Sequence, residues 1–253
     1  MASRDEIIVF CDQLLDIGSF DDYGPNGLQV PGAAEVSKLA TGVSANRAFL
    51  EAAAGCGAQL ALAHHGLFWS SQPLALSEQM AARLKTALTA DLSVAAYHLP
   101  LDAHRELGNN ALLCERLGFQ QDPDGFGEVN GRPIGVIGRS DEGLEAPELT
   151  RRVRELLDRE PLVFDAGPGE VRSIGIVSGG GSSAIHEAIA RGLDAFLTGE
   201  PTEPAMAYAR EGGIHYLAAG HYATETLGIR RLGELVADRF GLEHQFIDVP
   251  NPI

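Results

Sequence analysis

Apolar residues recur along this chain with two different periods. Ile7, Ile8, Cys11, Leu14 and Leu15 follow an i, i+3, i+4, i+7 stripe, which predicts an amphipathic helix over residues 3–17. Ser3 stands at the N-cap position, and Glu6, three residues on, completes a capping box. Gly24-Pro25-Asn26-Gly27 is a turn cluster, followed by a short extended piece at 28–30. Short apolar runs at 38–44, 59–64 and 92–98 then alternate with helical patterns at 45–56, 78–90 and 109–117. That alternation is the mark of β-α-β units with parallel strands and right-handed crossovers. From 119 to 171 Gly and Pro punctuate short strands at 134–139 and 162–165, and an amphipathic helix at 147–158 opens on Pro147 and Glu148. The first pattern then returns: a strand at 173–177, the glycine loop Ser178-Gly179-Gly180-Gly181-Ser182-Ser183, a helix at 184–191, a strand at 194–200, a helix at 203–211 and a strand at 214–219.

The two runs superimpose. Strand 38–43 matches 173–177, helix 45–56 matches 184–191, and strand 59–63 matches 194–198. The pattern therefore predicts an α/β body made of two duplicated β-α-β halves, residues 1–118 and 172–253, with a central segment at 119–171. The parts form one compact unit or two intertwined domains. In open α/β sheets, sites lie outside the carboxyl ends of the strands, so the polar residues at those exits matter most.

The exits are rich in potential ligands. An apolar run, Leu60-Ala61-Leu62-Ala63, ends in His64-His65-Gly66. Neighbouring strand residues point to opposite faces, so both histidines can serve one pocket only if the backbone turns, which Gly66 permits. The alternative is that one histidine packs and the other is solvated. His98-x-x-x-Asp102 and His221-x-x-x-Glu225 share one i, i+4 spacing. That spacing puts both groups on one face if a helical turn follows the strand. The imidazoles of His64, His65 and His221 with the carboxylates of Asp102 and Glu225 are enough donors for two divalent ions sharing a carboxylate. Mixed nitrogen and oxygen donors suit Zn, Mn, Fe, Co or Ni, and no thiolate selects among them. His98 is the candidate general acid or hydrogen-bond partner of a ligand, and Glu200 follows from the repeat. His186, His215 and His244 read as structural or surface residues, and Phe68 and Trp69 as packing. The glycine loop lacks the following lysine of a P-loop and reads equally well as a tight strand–helix turn.

Charge and cysteine usage narrow the partners. The chain has 253 residues, 45% of them hydrophobic, and a formal net charge of −16. A field of that sign disfavours nucleic-acid backbones, but a metal site can reverse it locally for a small anionic substrate. Cys11, Cys56 and Cys114 are distant and odd in number, which fits reduced core residues of a cytoplasmic protein. The first sixteen residues carry acids and lack a signal-peptide core, and no apolar run reaches the ~20 residues of a membrane span.

Four motifs carry a family resemblance: His64-His65-Gly66-Leu67-Phe68-Trp69, Asn26-Gly27-Leu28-Gln29-Val30, Tyr97-His98-Leu99-Pro100-Leu101-Asp102 and Gly220-His221-Tyr222-Ala223-Thr224-Glu225. Together they resemble the YbgI-like family, also labelled GTP cyclohydrolase 1 type 2 or Nif-three-like, over nearly the whole chain. The resemblance implies a three-layer α-β-α fold and a dinuclear metal centre facing the cavity of a ring-shaped homohexamer. It implies His64, His65, Asp102, His221 and Glu225 as the metal ligands, with Glu225 the bridge and two divalent ions per chain. Where that family usually carries Thr after the third-strand histidine this chain has Leu99, which removes a hydroxyl near the site. The implied activity is metal-dependent hydrolysis of a nucleotide or related small molecule, the family label suggesting opening of the guanine ring of GTP. The alternative is a non-enzymatic metal-binding, regulatory or metal-carrier ring. No guanine-reading cluster is visible; of nineteen basic residues only Arg151-Arg152 and Arg230-Arg231 are paired.

Overall fold

Strands whose residues are apolar on both faces must be covered on both faces, and the chain supplies helices for each. The computed structural model describes residues 1–253. They form two units: Met1–Leu101 with Gly228–Pro250, and Asp102–Leu227 with Asn251–Ile253.

The first unit carries a five-stranded sheet in the order Glu243–Phe246, Lys38–Ser44, Leu60–His65, Ser93–Ala96, Gly27–Val30. The first four strands are parallel, and Gly27–Val30 closes the edge antiparallel. On one face Ala40, Ala61, Ala63 and Val94 pack with Phe49, Leu50 and Ala53 of helix Arg47–Gly55, and with Met80 and Ala87 of helix Glu78–Thr89. Gly42 shares that face, where a Cβ would strike the Phe49 ring. On the other face Thr41 Oγ1 meets His244 Nε2 at 2.8 Å. Gly233 of helix Thr226–Phe240 lies over this pair so closely that a Cβ there would hit both. Helix Thr226–Phe240 and strand Glu243–Phe246 lie beyond the elements the sequence reading identified. The helix buries Ile229, Leu232, Gly233 and Val236, an i, i+3, i+4, i+7 stripe in which a glycine weakens the apolar signal.

The second unit holds a six-stranded sheet: Gln120–Val129, Arg132–Glu145, Glu170–Val177, Ala195–Thr198, His215–Ala218, Leu162–Phe164. Glu170–Val177, Ala195–Thr198 and His215–Ala218 are parallel, and the flanking strands are antiparallel. One face packs Ile174, Ile176, Leu197 and Leu217 under Leu113 and Leu117 of helix Asn109–Leu117 and Leu149 and Val153 of helix Ala146–Leu157. The other carries a chain of rings, Phe126 to Phe196, Phe196 to Tyr216 and Tyr216 to Phe164, with centroids 5.6–6.1 Å apart.

The duplication is visible in the pairing. Strands Lys38–Ser44, Leu60–His65 and Ser93–Ala96 of one sheet and Glu170–Val177, Ala195–Thr198 and His215–Ala218 of the other are each a parallel run of three closed by an antiparallel edge strand, Gly27–Val30 and Leu162–Phe164; the first sheet adds Glu243–Phe246, parallel, at its other edge. The segment 119–171 supplies strands to the second sheet. Its hairpin is longer than the 134–139 piece expected, because QQDPDGFGEV reads as loop from its Asp, Pro and Gly. It pairs as an edge strand, with a register shift between Gln121 and Gly125 of the kind edges tolerate.

Local signals set the element ends. Ser3 Oγ accepts from Glu6 N, and helix Arg4–Leu14 ends short of residue 17, with Asp16 left-handed at φ 47°. Cys11 and Cys114 are buried and Cys56 half-buried, all three as free thiols. No helix is long and apolar enough to cross a membrane.

Candidate metal centre

In the first unit the site begins at the end of Leu60–His65. The strand runs through both histidines, and His64 is fully buried. Gly66 is needed for close approach: a Cβ there would collide with the Gln29 amide, whose Oε1 accepts from Leu67 N at 2.7 Å. The imidazole rings of His64 and His65 lie 4.8 Å apart, and His98 completes a cluster at 5.1 Å from His64 and 5.5 Å from His65. One nitrogen from each of the three lies within 4.8 Å of the others.

Each imidazole is held from behind through Nδ1. His64 Nδ1 donates to Tyr97 O at 2.9 Å. A carbonyl can only accept, so that ring's lone pair is on Nε2. His98 Nδ1 lies 2.7 Å from Asp22 Oδ1, and His65 Nδ1 3.2 Å from Ser44 Oγ. Outer hydrogen-bond partners of this kind orient histidine ligands; the carbonyl behind His64 also fixes its tautomer, whereas the Ser44 hydroxyl behind His65 can donate or accept. Trp69, expected as packing, stands with its ring 5.2 Å from His98 and 5.8 Å from His65, while Phe68 packs on the core.

In the second unit the turn Gly220-His221 follows strand His215–Ala218 and opens a helix, His221–Thr224. That helical turn brings His221 Nε2 to 3.1 Å from Glu225 Oε1, the i, i+4 contact the spacing required. On the other ring edge His221 Nδ1 meets Glu200 Oε1 at 2.5 Å. Burial alone would lower the His221 pKa, but the hydrogen bond and charge of Glu225, and then those of Glu200, push it up to about 9. Two carboxylates thus favour a cation at this place.

The glycine loop serves this arrangement. Gly179 has φ +61°, and a Cβ there would run into the Glu225 carboxylate. Its N donates to Thr224 Oγ1 at 3.1 Å, and its carbonyl accepts from Gly199 N and Glu200 N, both at 3.0 Å. Asp102, in helix Leu99–Ala103, is buried. Its Oδ1 accepts from Asn109 Nδ2 at 2.8 Å and from Ser178 Oγ at 3.2 Å. Asn110 joins them, accepting from Ser178 N at 2.7 Å.

The donor chemistry fits a divalent transition metal in both units: oriented imidazoles in one, imidazole beside a buried carboxylate in the other. Of the residues that hold these donors, Asp22, Ser44 and Asn109 carry no sequence signal, and Ser178 and Thr224 stand out only as members of the glycine loop and of the Gly220–Glu225 motif. Asn26, part of the turn and of the Asn26–Val30 motif, accepts from His98 N through Oδ1 at 2.8 Å. Of the other histidines, His215 is buried against Pro168 O at 2.6 Å, and His186, on the surface, lies edge-on to Tyr208.

Comparison with known proteins places this geometry. A Pseudomonas aeruginosa protein named GTP cyclohydrolase 1 type 2 homolog is 45% identical over 241 residues, covering 95% of each chain. The Escherichia coli protein of the same name is 41% identical, covering 98% of each. Among solved structures, protein ybgI superposes with a TM-score of 0.93 at 40% identity over 100% of both chains. A Thermus thermophilus protein, TTHA1606, superposes with a TM-score of 0.90 at 33% identity, again over the full length of both. The profile of Duf34/NIF3 (NGG1p interacting factor 3) matches residues 2–252, and the chain therefore belongs to the Duf34/NIF3 family.

Proposed function

We propose that this protein binds two divalent metal ions per chain through His64, His65, Asp102, His221 and Glu225, and hydrolyses a nucleotide or related small molecule. The observation that carries the reading is the pairing of the His64 and His65 imidazoles, their ring centres 4.8 Å apart, with Tyr97 O and Ser44 Oγ behind them. Divalent ions bound by such donors would supply Lewis-acid polarisation and activation of water. The chain's own residues do the rest. Tyr97 O and Ser44 Oγ hold the two adjacent imidazoles in orientation. Glu200 holds His221, and Ser178 and Asn109 hold Asp102. His98 carries the proton between solvent and the reacting group, and Trp69 beside it excludes water. The names of the relatives point to a GTP-like substrate. Cyclohydrolysis of a guanine ring, assembly as a hexameric ring and a cytoplasmic location belong to this reading.

The test is elemental analysis of the purified protein and of Glu225→Ala, followed by a turnover screen of nucleotides and phosphoesters with the metal found. The expected result is about two ions per wild-type chain and a clear loss in the variant. Unchanged metal in Glu225→Ala would sink the ligand assignment. Full metal with no turnover across the screen would favour the carrier reading.

A further inference from the structure

One large side chain beside the candidate centre is packed less than its neighbours. In the run Leu67-Phe68-Trp69, Leu67 is fully buried and Phe68 packs on the core, whereas Trp69 is half-buried beside His65 and His98. Its ring plane is inclined by 84° to His98 and by 57° to His65, so neither imidazole lies parallel to the indole. Tyr23 stands on the same cluster, with its ring 6.2 Å from His98 and tilted by 56°, and it is 48% exposed. The two rings come from separate loops that are fastened together. Ser70 N donates to Tyr23 O at 2.7 Å, and a Cβ on Gly24 would strike Phe68 O. Tyr23 N also donates to Asp22 Oδ1 at 2.7 Å, the same oxygen that meets His98 Nδ1. Tyr23, Trp69 and His98 are thus held in one fixed relation by the chain itself.

Tryptophan and tyrosine present a rigid apolar face with a polar tip. Rings ordered in advance lose little freedom when a ligand lies on them. A planar heteroaromatic ring stacks on such a face whatever hydrogen-bonding edge it carries. The charge balance points the same way. Nineteen basic residues stand against thirty-five acidic ones, and a field of that sign disfavours recognition through phosphates alone. We propose that Trp69 and Tyr23 form a recognition site for a planar heteroaromatic ring of about purine size. The ring stacks on the Trp69 indole, with Tyr23 as a second wall, and is thereby presented to His98. This inference deepens the proposed function and rests on it. It names the part of the substrate that the chain reads, a ring rather than a phosphate chain, and gives Trp69 a role in specificity besides the exclusion of water.

Trp69 is the only tryptophan in the chain, so indole fluorescence reports this position alone and tests the site without relying on turnover. The full-length protein, as purified and after chelation, is titrated with guanosine monophosphate and with ribose phosphate, which carries the same phosphate and no ring. Excitation at the red edge of the indole band avoids absorption by the purine. Saturable quenching by the nucleotide and none by the sugar phosphate is the expected result. Equilibrium dialysis then gives Kd for the variants. Trp69→Leu should weaken the nucleotide by about 5–150-fold, Trp69→Phe should keep most of the affinity, and Tyr23→Leu should lose less than Trp69→Leu. Equal affinity for the two probes, nucleotide binding without quenching, or no saturable binding at all in the wild type overturns the proposal even if Trp69→Leu fails to fold. So does a folded Trp69→Leu protein with the wild-type Kd. Quenching in a protein that holds no metal and turns nothing over would leave the ring site standing and count against the proposed function. Two bound metals with turnover of a ring-free phosphoester, and no quenching by the nucleotide, would do the reverse.

Discussion

Each histidine of the candidate centre is defined by the group behind it as much as by its own ring. His64 has a carbonyl, His98 a carboxylate and His65 a hydroxyl. His221 has carboxylates on both edges, Glu200 on Nδ1 and Glu225 on Nε2. Glu200, expected from the repeat as the counterpart of a polar strand exit, lies 2.5 Å from His221 Nδ1. Its charge raises the electron density of the ring it holds. Glu200→Gln keeps the size and removes the charge, so metal affinity is expected to fall by about 10–100-fold with the fold intact. Competition with a chelating dye reads the affinity, and circular dichroism checks the fold. Wild-type affinity in the variant would show that Glu200 does not orient a ligand.

At the scale of elements, the place of the Glu225 carboxylate in the second unit is shaped by one glycine turn. Gly179 occupies a left-handed conformation with Glu225 where a Cβ would be. The same residue bonds to Thr224 Oγ1 through N and to the 199–200 backbone through O. The three-glycine loop lacks the lysine of a P-loop and reads equally well as a tight strand–helix turn, and its backbone is engaged with the Thr224-Glu225 turn. Gly179→Ala should therefore act in two ways. The positive φ costs about 1–3 kcal/mol, lowering the melting temperature, and the methyl displaces the Glu225 carboxylate, reducing bound metal. Gly180→Ala, at a position with open space around a Cβ, is the control and should keep its metal. Equal metal in both variants would mean that the Gly179 contact does not matter.

For the whole molecule, the duplicated topology explains why ligand motifs recur along the chain. Equivalent strands end on equivalent edges, so a polar exit in one sheet has a counterpart in the other. The net charge of −16 makes nucleic acid a poor partner and makes bound cations the simplest way to admit an anionic substrate. A closed ring is a symmetric way to satisfy heterologous contacts. Under the proposed function, light scattering of the metal-loaded protein should give about six times the 26.8 kDa chain mass. A monomer at micromolar concentration would exclude the ring.

Much of the fold was legible because it follows from local patterns. The strands at 38–44 and 60–65 and the helices at 78–89 and 109–117 lie within a residue or two of their expected bounds. Their apolar runs and caps depend only on neighbours in sequence. Strand Gln120–Val129 and helix Thr226–Phe240 were not legible, the first because edge pairing tolerates Asp, Pro and Gly, the second because Gly233 takes a core position. The candidate ligand motifs stand out in the sequence because histidine pairs and i, i+4 His/Glu spacing are short-range signals. What only the tertiary structure decided is the set of groups behind these side chains. Asp22 meets His98 across 76 residues and Ser178 meets Asp102 across another 76. In sequence Asp22 is one acid beside a turn and Ser178 one residue of a glycine loop. Hydrogen bonds between residues so far apart leave no periodicity behind them, because the sheet order that brings them together is set by burial of the whole core.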